Sequence, residues 1–296
     1  MNKGIKFALF TALISGLANF ANKEIISAGT DPVLLTALKN IVPGIIFSAM
    51  ALPLIPQIKK LKKNDWLILM FVSLIGGAIP FILFFKGLAM TSAATGSFIH
   101  KTMFLWIAIL AFFTLKEKFS RWQILGFSTM TAGLAVMIKF VPSFGKGELM
   151  IFAATLLWTL ETVLVKQCIK RLDYRLLGAA RMAAGSVFIF IFAGFTGKLA
   201  LISKINPADL AAIVFVGLIL SGYIYFWYRS LALIPATVTS SVLTLAFPIT
   251  LLLSDFRRFE IATVQEIIGT GFLVLSAYLI AKFQKKLELC PATAKN

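Results

Sequence analysis

Four charged side chains, Lys39, Lys101, Glu161 and Arg181, stand inside long apolar runs of this chain. On insertion scales each such charge costs about 2.5–3.5 kcal/mol at the centre of a membrane helix, so each needs a chemical reason to be there. Lys101 and Glu161 are the most central in their runs. An ammonium at that depth can receive a carboxylate or phosphate. A carboxyl can receive an ammonium or carry a proton. Two readings stand for this pair: they neutralise each other, or they face a substrate. Arg181 and Lys39 lie nearer the ends of their runs, where long stems can also snorkel to the boundary. His100 is the single histidine. It adjoins Lys101 but is turned ~100° from it around a helix, so a polar helix contact and proton handling are its two readings.

Aromatic and amide side chains accompany these charges. Trp158 precedes Glu161 by three residues, and Tyr223 precedes Trp227 by four, so each pair shares one helical face. Such rings can wall a pocket or simply pack. Asn19 and Asn40 can hydrogen-bond between helices or toward a ligand. Pro43, Pro80 and Pro248 fall within apolar runs, where each removes a backbone hydrogen bond. Pro80 and Pro248 are the candidate bending points for gates. The patterns His-Glu-x-x-His, Gly-x-Ser-x-Gly and the phosphate-binding Gly-x-x-x-x-Gly-Lys-Ser/Thr do not occur. That argues against metalloprotease, serine-hydrolase and ATP-hydrolysing chemistry. No metal or cofactor is expected.

The surroundings explain why charges are so few. Of 296 residues, 59% are hydrophobic and 14% charged, with a mean hydropathy of +0.92. Soluble domains carry roughly 25% charged residues, so the solvent for this surface is lipid. A net charge of +17 would suggest nucleic acid in a soluble protein. Here it belongs to the loops that orient membrane helices, and no nucleic-acid partner is expected. Cys168 and Cys290 show no motif spacing and are expected as reduced thiols on the cytoplasmic side. The apolar run after Lys3 and Lys6 lacks a convincing small-x-small cleavage site and aligns with an internal segment, so it reads as a retained first helix.

Ten apolar runs, each long enough to cross a bilayer, are predicted at 5–25, 33–54, 66–88, 92–114, 122–141, 149–168, 176–196, 209–230, 236–254 and 263–283. They form two copies related by a shift of 143 residues. Gly4 meets Gly147, Lys23 meets Lys166, Leu88 meets Leu231, Ser97 meets Ser240, Glu117 meets Glu260 and Gly126 meets Gly269. Five crossings per copy require the second copy to enter from the opposite side. The expected fold is therefore an all-α polytopic membrane protein of ten transmembrane helices, built as two inverted five-helix repeats. The expected units are residues 1–143, residues 144–286 and a cytoplasmic tail at 287–296. With a cytoplasmic N-terminus, eighteen Lys and Arg fall on the inner side and eight on the outer. The count favours both termini in the cytoplasm. Trp66 and Trp122 then sit at inner boundaries as interfacial anchors.

The chain resembles the EamA family of the drug/metabolite transporter superfamily over nearly its whole length. The likeness rests on an ordered, repeated set. In the second half this is Gly222-Tyr223 through Trp227-Tyr228, Leu231-Ala232, Ala236, Pro248, Glu260 and Gly269. In the first half it is Phe85, Leu88-Ala89, Ala93, Glu117 and Gly126, and the opening-helix positions are Gly16 with Asn19 in the first half and Trp158 in the second. Two departures stand out: Ser15 occupies the place of a Trp beside Gly16, and Leu105 stands opposite Pro248. The resemblance implies ten helices, alternating access and movement of small metabolites, often amino acids or related compounds.

The function that follows is secondary, gradient- or exchange-driven transport of a small polar metabolite, anionic or zwitterionic. Lys101 and Glu161 rank first as substrate contacts because their repeat mates, Thr244 and Ala18, are uncharged. A scaffold role would tend to be duplicated. Protons are the candidate coupling ion, the expected setting is a prokaryotic inner membrane, and a monomer and a homodimer are both open. The alternatives are a membrane-embedded lipid-modifying enzyme, which lacks a recognisable catalytic set, and a channel, which would need a continuous polar path.

Overall fold

A computed structural model describes residues 2–137 and 144–284. Ten helical rods follow one another through short connections. They are α1 (Lys3–Ser27), α2 (Pro32–Ile58), α3 (Lys63–Ala89), α4 (Ala93–Leu115), α5 (Arg121–Met137), α6 (Lys146–Cys168), α7 (Tyr174–Phe195), α8 (Pro207–Leu233), α9 (Ala236–Arg258) and α10 (Val264–Lys282). Nine are long and apolar enough to cross a bilayer. The other, α5, has 17 described residues, and its expected continuation to 141 lies outside the described residues. So do Lys139, Lys285, Lys286, Lys295, Cys290 and the expected tail. The chain is an all-helical membrane protein.

Local chemistry sets the starts of the rods. Asn2, Asp31, Asp173, Asn206 and Thr263 each cap a helix by accepting a backbone N–H. Burial works against the charge on Asp31. The Lys198 ammonium, 2.9 Å away, and the Val33 and Leu34 amides nevertheless hold its carboxyl below the usual carboxylate range.

Cross-contacts define two ends. Gly4 meets Ile234, Asp65 pairs with Arg171, Glu117 bonds Ala236, and Ser120 bonds the Phe283 carbonyl. These make up the near end. Gly87 meets Gly147, Lys198 pairs with Asp31, and Arg257 pairs with Glu24 at the far end. Each half's helices pack on the other's: α1 on α8, α6 on α3, α2 on α7, and α4 along α9. The rods α5 and α10 cross through glycine. A Cβ on Gly133 would lie 3.1 Å from the Gly269 carbonyl, and one on Gly126 would lie 2.6 Å from Ile280.

The duplication extends to individual bonds. Lys23 Nζ donates to the Leu88 carbonyl at 2.9 Å. Its repeat mate Lys166 donates to the Leu231 carbonyl at 2.5 Å and to Ile234 at 2.7 Å. Each lysine thus satisfies carbonyls at the end of a rod, a demand that lipid makes severe. The breaks are also duplicated, with their threonines one residue out of repeat register. In α4 the chain tightens at Thr102, whose hydroxyl bonds the Ile99 carbonyl at 2.7 Å. In α9 it tightens at Thr244, whose hydroxyl bonds Ser241 at 2.6 Å. Pro248 follows only the second break, so proline is not what makes the first.

The helices of α3 and α7 widen to π turns at Val72–Ala78 and Ala180–Ala184, and these wide turns face each other. Gly77 is needed there: a Cβ would strike the Arg181 carbonyl and lie 3.1 Å from Gly185 Cα. Gly77→Ala is therefore expected to destabilise the protein by about 1–3 kcal/mol through overpacking. Gly271→Ala, with nothing within 4 Å, should leave stability unchanged or slightly raised. Thermal unfolding in detergent checks both, and equal midpoints for the two variants would refute the close crossing.

Candidate functional site

All four membrane-embedded charges are buried: Glu161 is 0% exposed, Lys101 1%, Lys39 2% and Arg181 3%. None snorkels. Glu161, on α6, does not pair with Lys101. Its Oε2 accepts from Arg181 Nη1 at 3.1 Å, and its Oε1 accepts from the Tyr228 hydroxyl at 2.5 Å. The carboxylate fits because Gly76 has no side chain: a Cβ there would lie 2.5 Å from Glu161 Cγ.

Pro80 takes part in this arrangement. Proline has no N–H for the carbonyl four residues back, which is that of Gly76. The Trp158 indole N–H donates to that carbonyl at 3.0 Å. A proline on α3 thereby provides the acceptor that orients a tryptophan on α6. Phe81 meets Trp158 edge-on at 5.3 Å between centroids, and Phe84 lies 5.4 Å from both Trp158 and His100, whose rings are themselves 4.9 Å apart.

The two lysines lie apart from the acid. Lys101 Nζ donates to Ser15 Oγ at 2.8 Å and stands 3.4 Å from His100 Nδ1. Lys39 Nζ donates to Asn22 Oδ1 at 2.8 Å and sits 3.2 Å from the centroid of the Phe85 ring, a cation–π contact. Among the described residues neither lysine has a carboxylate within 4.0 Å. Asn19 Nδ2 donates to Ser97 Oγ at 3.2 Å, tying α1 to α4. Asn40 leaves both side-chain polar atoms without a partner, while its carbonyl accepts from Ser186.

A cavity of about 50 Å³ lies beside these groups, with Lys101 and Glu161 outside its lining. Ser15, Asn19, Asn22, Lys39, His100, Trp158, Arg181 and Tyr223 line it, so both halves contribute. Trp227 lies behind this wall, stacked on Tyr223 with centroids 6.2 Å apart. Pro248 is buried in α9, away from the cavity lining. A second cavity, about 750 Å³, reaches inward from the far end between Ser92–Ala94 and Asp255–Glu260.

Sequence reasoning did not single out Tyr228, Asn22, Gly76 or Phe85 as site groups. Tyr228 was masked by its aromatic neighbour Trp227. Ser15 did carry a signal, as a departure from the pattern of its family. No cluster of His, Cys, Asp and Glu suited to a metal occurs among the described residues.

Comparison with known proteins agrees with this architecture. The chain is 30% identical over 206 residues to the uncharacterized transporter YyaM of Bacillus subtilis, covering 65% of this chain and 66% of that one. A Methanothermobacter thermautotrophicus transporter is 26% identical over 57% of this chain and 54% of its own length. These first two matches therefore span somewhat under two thirds and about half of those relatives. The uncharacterized inner membrane transporter YhbE of Escherichia coli is 26% identical, over 85% of this chain and 80% of that one. A solved crystal structure superposes with a TM-score of 0.72 at 17% identity, covering 96% and 99% of the two chains, a likeness of fold. The model of the EamA-like transporter family matches twice, at residues 2–139 and 145–282, and the chain is accordingly a member of the EamA-like transporter family.

Proposed function

We propose that the protein is a secondary transporter that moves a small anionic metabolite by alternating access. The observation that carries this reading is the polar cavity at the seam of the two halves, which Lys39 lines and behind whose Ser15 Lys101 stands, neither lysine having a carboxylate within 4.0 Å among the described residues. Burying uncompensated charge is too costly for mere scaffolding. A site that receives an anion and releases it again removes that cost in one phase of a cycle. The two halves are read as inverted five-helix repeats spanning residues 1–143 and 144–286, which rock about the cavity. The lysine and arginine count supports reading the near end as the cytoplasmic one, in an inner membrane.

In this reading Lys101 and Lys39 hold negative groups, and His100, Trp158 and Tyr223 shape the wall. Glu161 fixes Arg181 and Tyr228. Its protonation would release Arg181, which makes it the candidate group for proton coupling.

Two variants test the assignment in proteoliposomes. Lys101→Ala should raise the half-saturating substrate concentration at least tenfold, in line with about 1.5–3 kcal/mol for a hydrogen bond to a charged group. Glu161→Gln should keep binding but lose its response to an imposed proton gradient. Folding is checked by size-exclusion profile and thermal unfolding. Wild-type transport by a folded Lys101→Ala protein would remove Lys101 from the substrate site. Undiminished proton coupling in Glu161→Gln would remove Glu161 from the coupling step.

A further inference from the structure

Resting on the carrier reading, we infer that the cavity takes an organic dianion: a short chain of about three to five carbons with an anionic group at each end. The ruler is α1. Ser15, Asn19 and Asn22 fall at i, i+4 and i+7 and form one polar stripe on the cavity wall. Ser15 accepts from Lys101, whose ammonium stands behind the wall at one end until the halves part, and Asn22 accepts from Lys39, a lining residue, at the other. Seven residues at 1.5 Å each separate the ends by on the order of 10 Å. Each ammonium has three N–H donors and one short bond to a neutral acceptor, so both have donors to spare. With charge-assisted bonds of about 2.8 Å at each end, roughly 4–5 Å remains between the two nearest anionic oxygens.

The charge balance excludes the zwitterion. Arg181 and Glu161 cancel, which leaves a surplus of two from Lys39 and Lys101. An ammonium on the ligand would need a free carboxylate, and both oxygens of Glu161 are occupied by Arg181 and Tyr228. A monoanion would leave one buried lysine uncompensated. Between the ends, Phe84 and Trp158 offer apolar faces to a carbon chain. The present 50 Å³ is below the ~300 Å³ of common ligand sites, so the halves must part to admit it.

Wild-type protein in liposomes tests this through counterflow and thermal shift with succinate, glutarate, butyrate and 4-aminobutyrate. Succinate or glutarate should exchange and stabilise, with butyrate and 4-aminobutyrate at least tenfold weaker. Lys39→Gln and Lys101→Gln should each weaken the dicarboxylate at least tenfold. Equal or better handling of butyrate or 4-aminobutyrate would overturn the dianion while leaving a carrier. No exchange of any of these, or of amino acids and organic phosphates, would overturn the carrier as well. The wild-type panel decides even where a lysine variant fails to fold.

The ends of the molecule carry a second, independent inference. At the near end, Glu117 closes on the start of α9. Its Oε1 accepts from the Ala236 amide at 2.8 Å and its Oε2 from the Thr237 hydroxyl at 2.6 Å. Repeat symmetry assigns its mate Glu260 to the start of α4, at Ala93 and Ala94. That contact is open. Glu260 turns to Arg258 at 3.0 Å, Ser92 caps α4 by itself, and the 750 Å³ cavity separates the two. The geometry points to a pair of alternating latches, with the near one shut and the far one released. Ala94 lacks the hydroxyl that Thr237 supplies, so the far latch is one hydrogen bond weaker and the far-open state is favoured.

Maleimide labelling in a Cys168→Ser, Cys290→Ser background reads the two ends. Ser240→Cys reports the near end and Phe98→Cys the far cavity. Glu117→Ala should raise labelling of the first several-fold and lower that of the second. Ala94→Thr should slow labelling of Phe98→Cys, and Glu260→Ala should cancel that effect. Unchanged labelling in Glu117→Ala, or an Ala94→Thr effect that persists without Glu260, would overturn the latch pair.

Discussion

A carboxylate placed in hydrocarbon dictates much of the middle of this protein. Glu161 tolerates burial because a guanidinium takes one oxygen and a phenol the other. Satisfying it recruits α7 for Arg181, α8 for Tyr228 and α3 for the space above Gly76. The wide turns of α3 and α7 bring backbone to backbone at Gly77 and Gly185, close enough for the guanidinium to reach across. One buried negative charge thereby fixes the relative position of four rods. The lysines gain no such partner and bond the neutral acceptors Ser15 and Asn22 instead.

The sequence and the structure agree best where the physics is local or periodic. Apolar runs gave the rods to within a few residues, because lipid demands uninterrupted helices of defined length. The shift of 143 residues exposed the twofold plan, and Lys23 with Lys166 later proved to make the same bond in each copy. Pairing was not legible. Lys101 and Glu161 looked like natural partners because both lie mid-run. The partner of Glu161 is instead Arg181, twenty residues on, brought into reach by a widened turn that no residue pattern announces. Arg181 and Lys39 looked free to snorkel, yet both side chains turn inward to Glu161 and Asn22.

A division of labour emerges from the duplication. Groups present in both copies serve the frame: the carbonyl-binding lysines, the threonine-marked breaks of α4 and α9, and the glycines where α5 meets α10. Groups present once, namely Lys101, Glu161 and Tyr228, stand just behind the cavity that Ser15 lines. Proline belongs to both stories. Pro80 frees a carbonyl for Trp158, and Pro248 follows a break that its counterpart makes with Leu105 in its place.

The crossing of α5 with α10 also bears on how the protein is made. The glycine face of α5 finds its partner only in the last rod of the chain. Ribosomes add roughly 5–20 residues each second. Residue 282 therefore leaves the exit tunnel about seven to thirty seconds after residue 137. Throughout that interval the small-residue face of α5 lacks its partner helix, so the first half must wait for the end of the second to close this crossing.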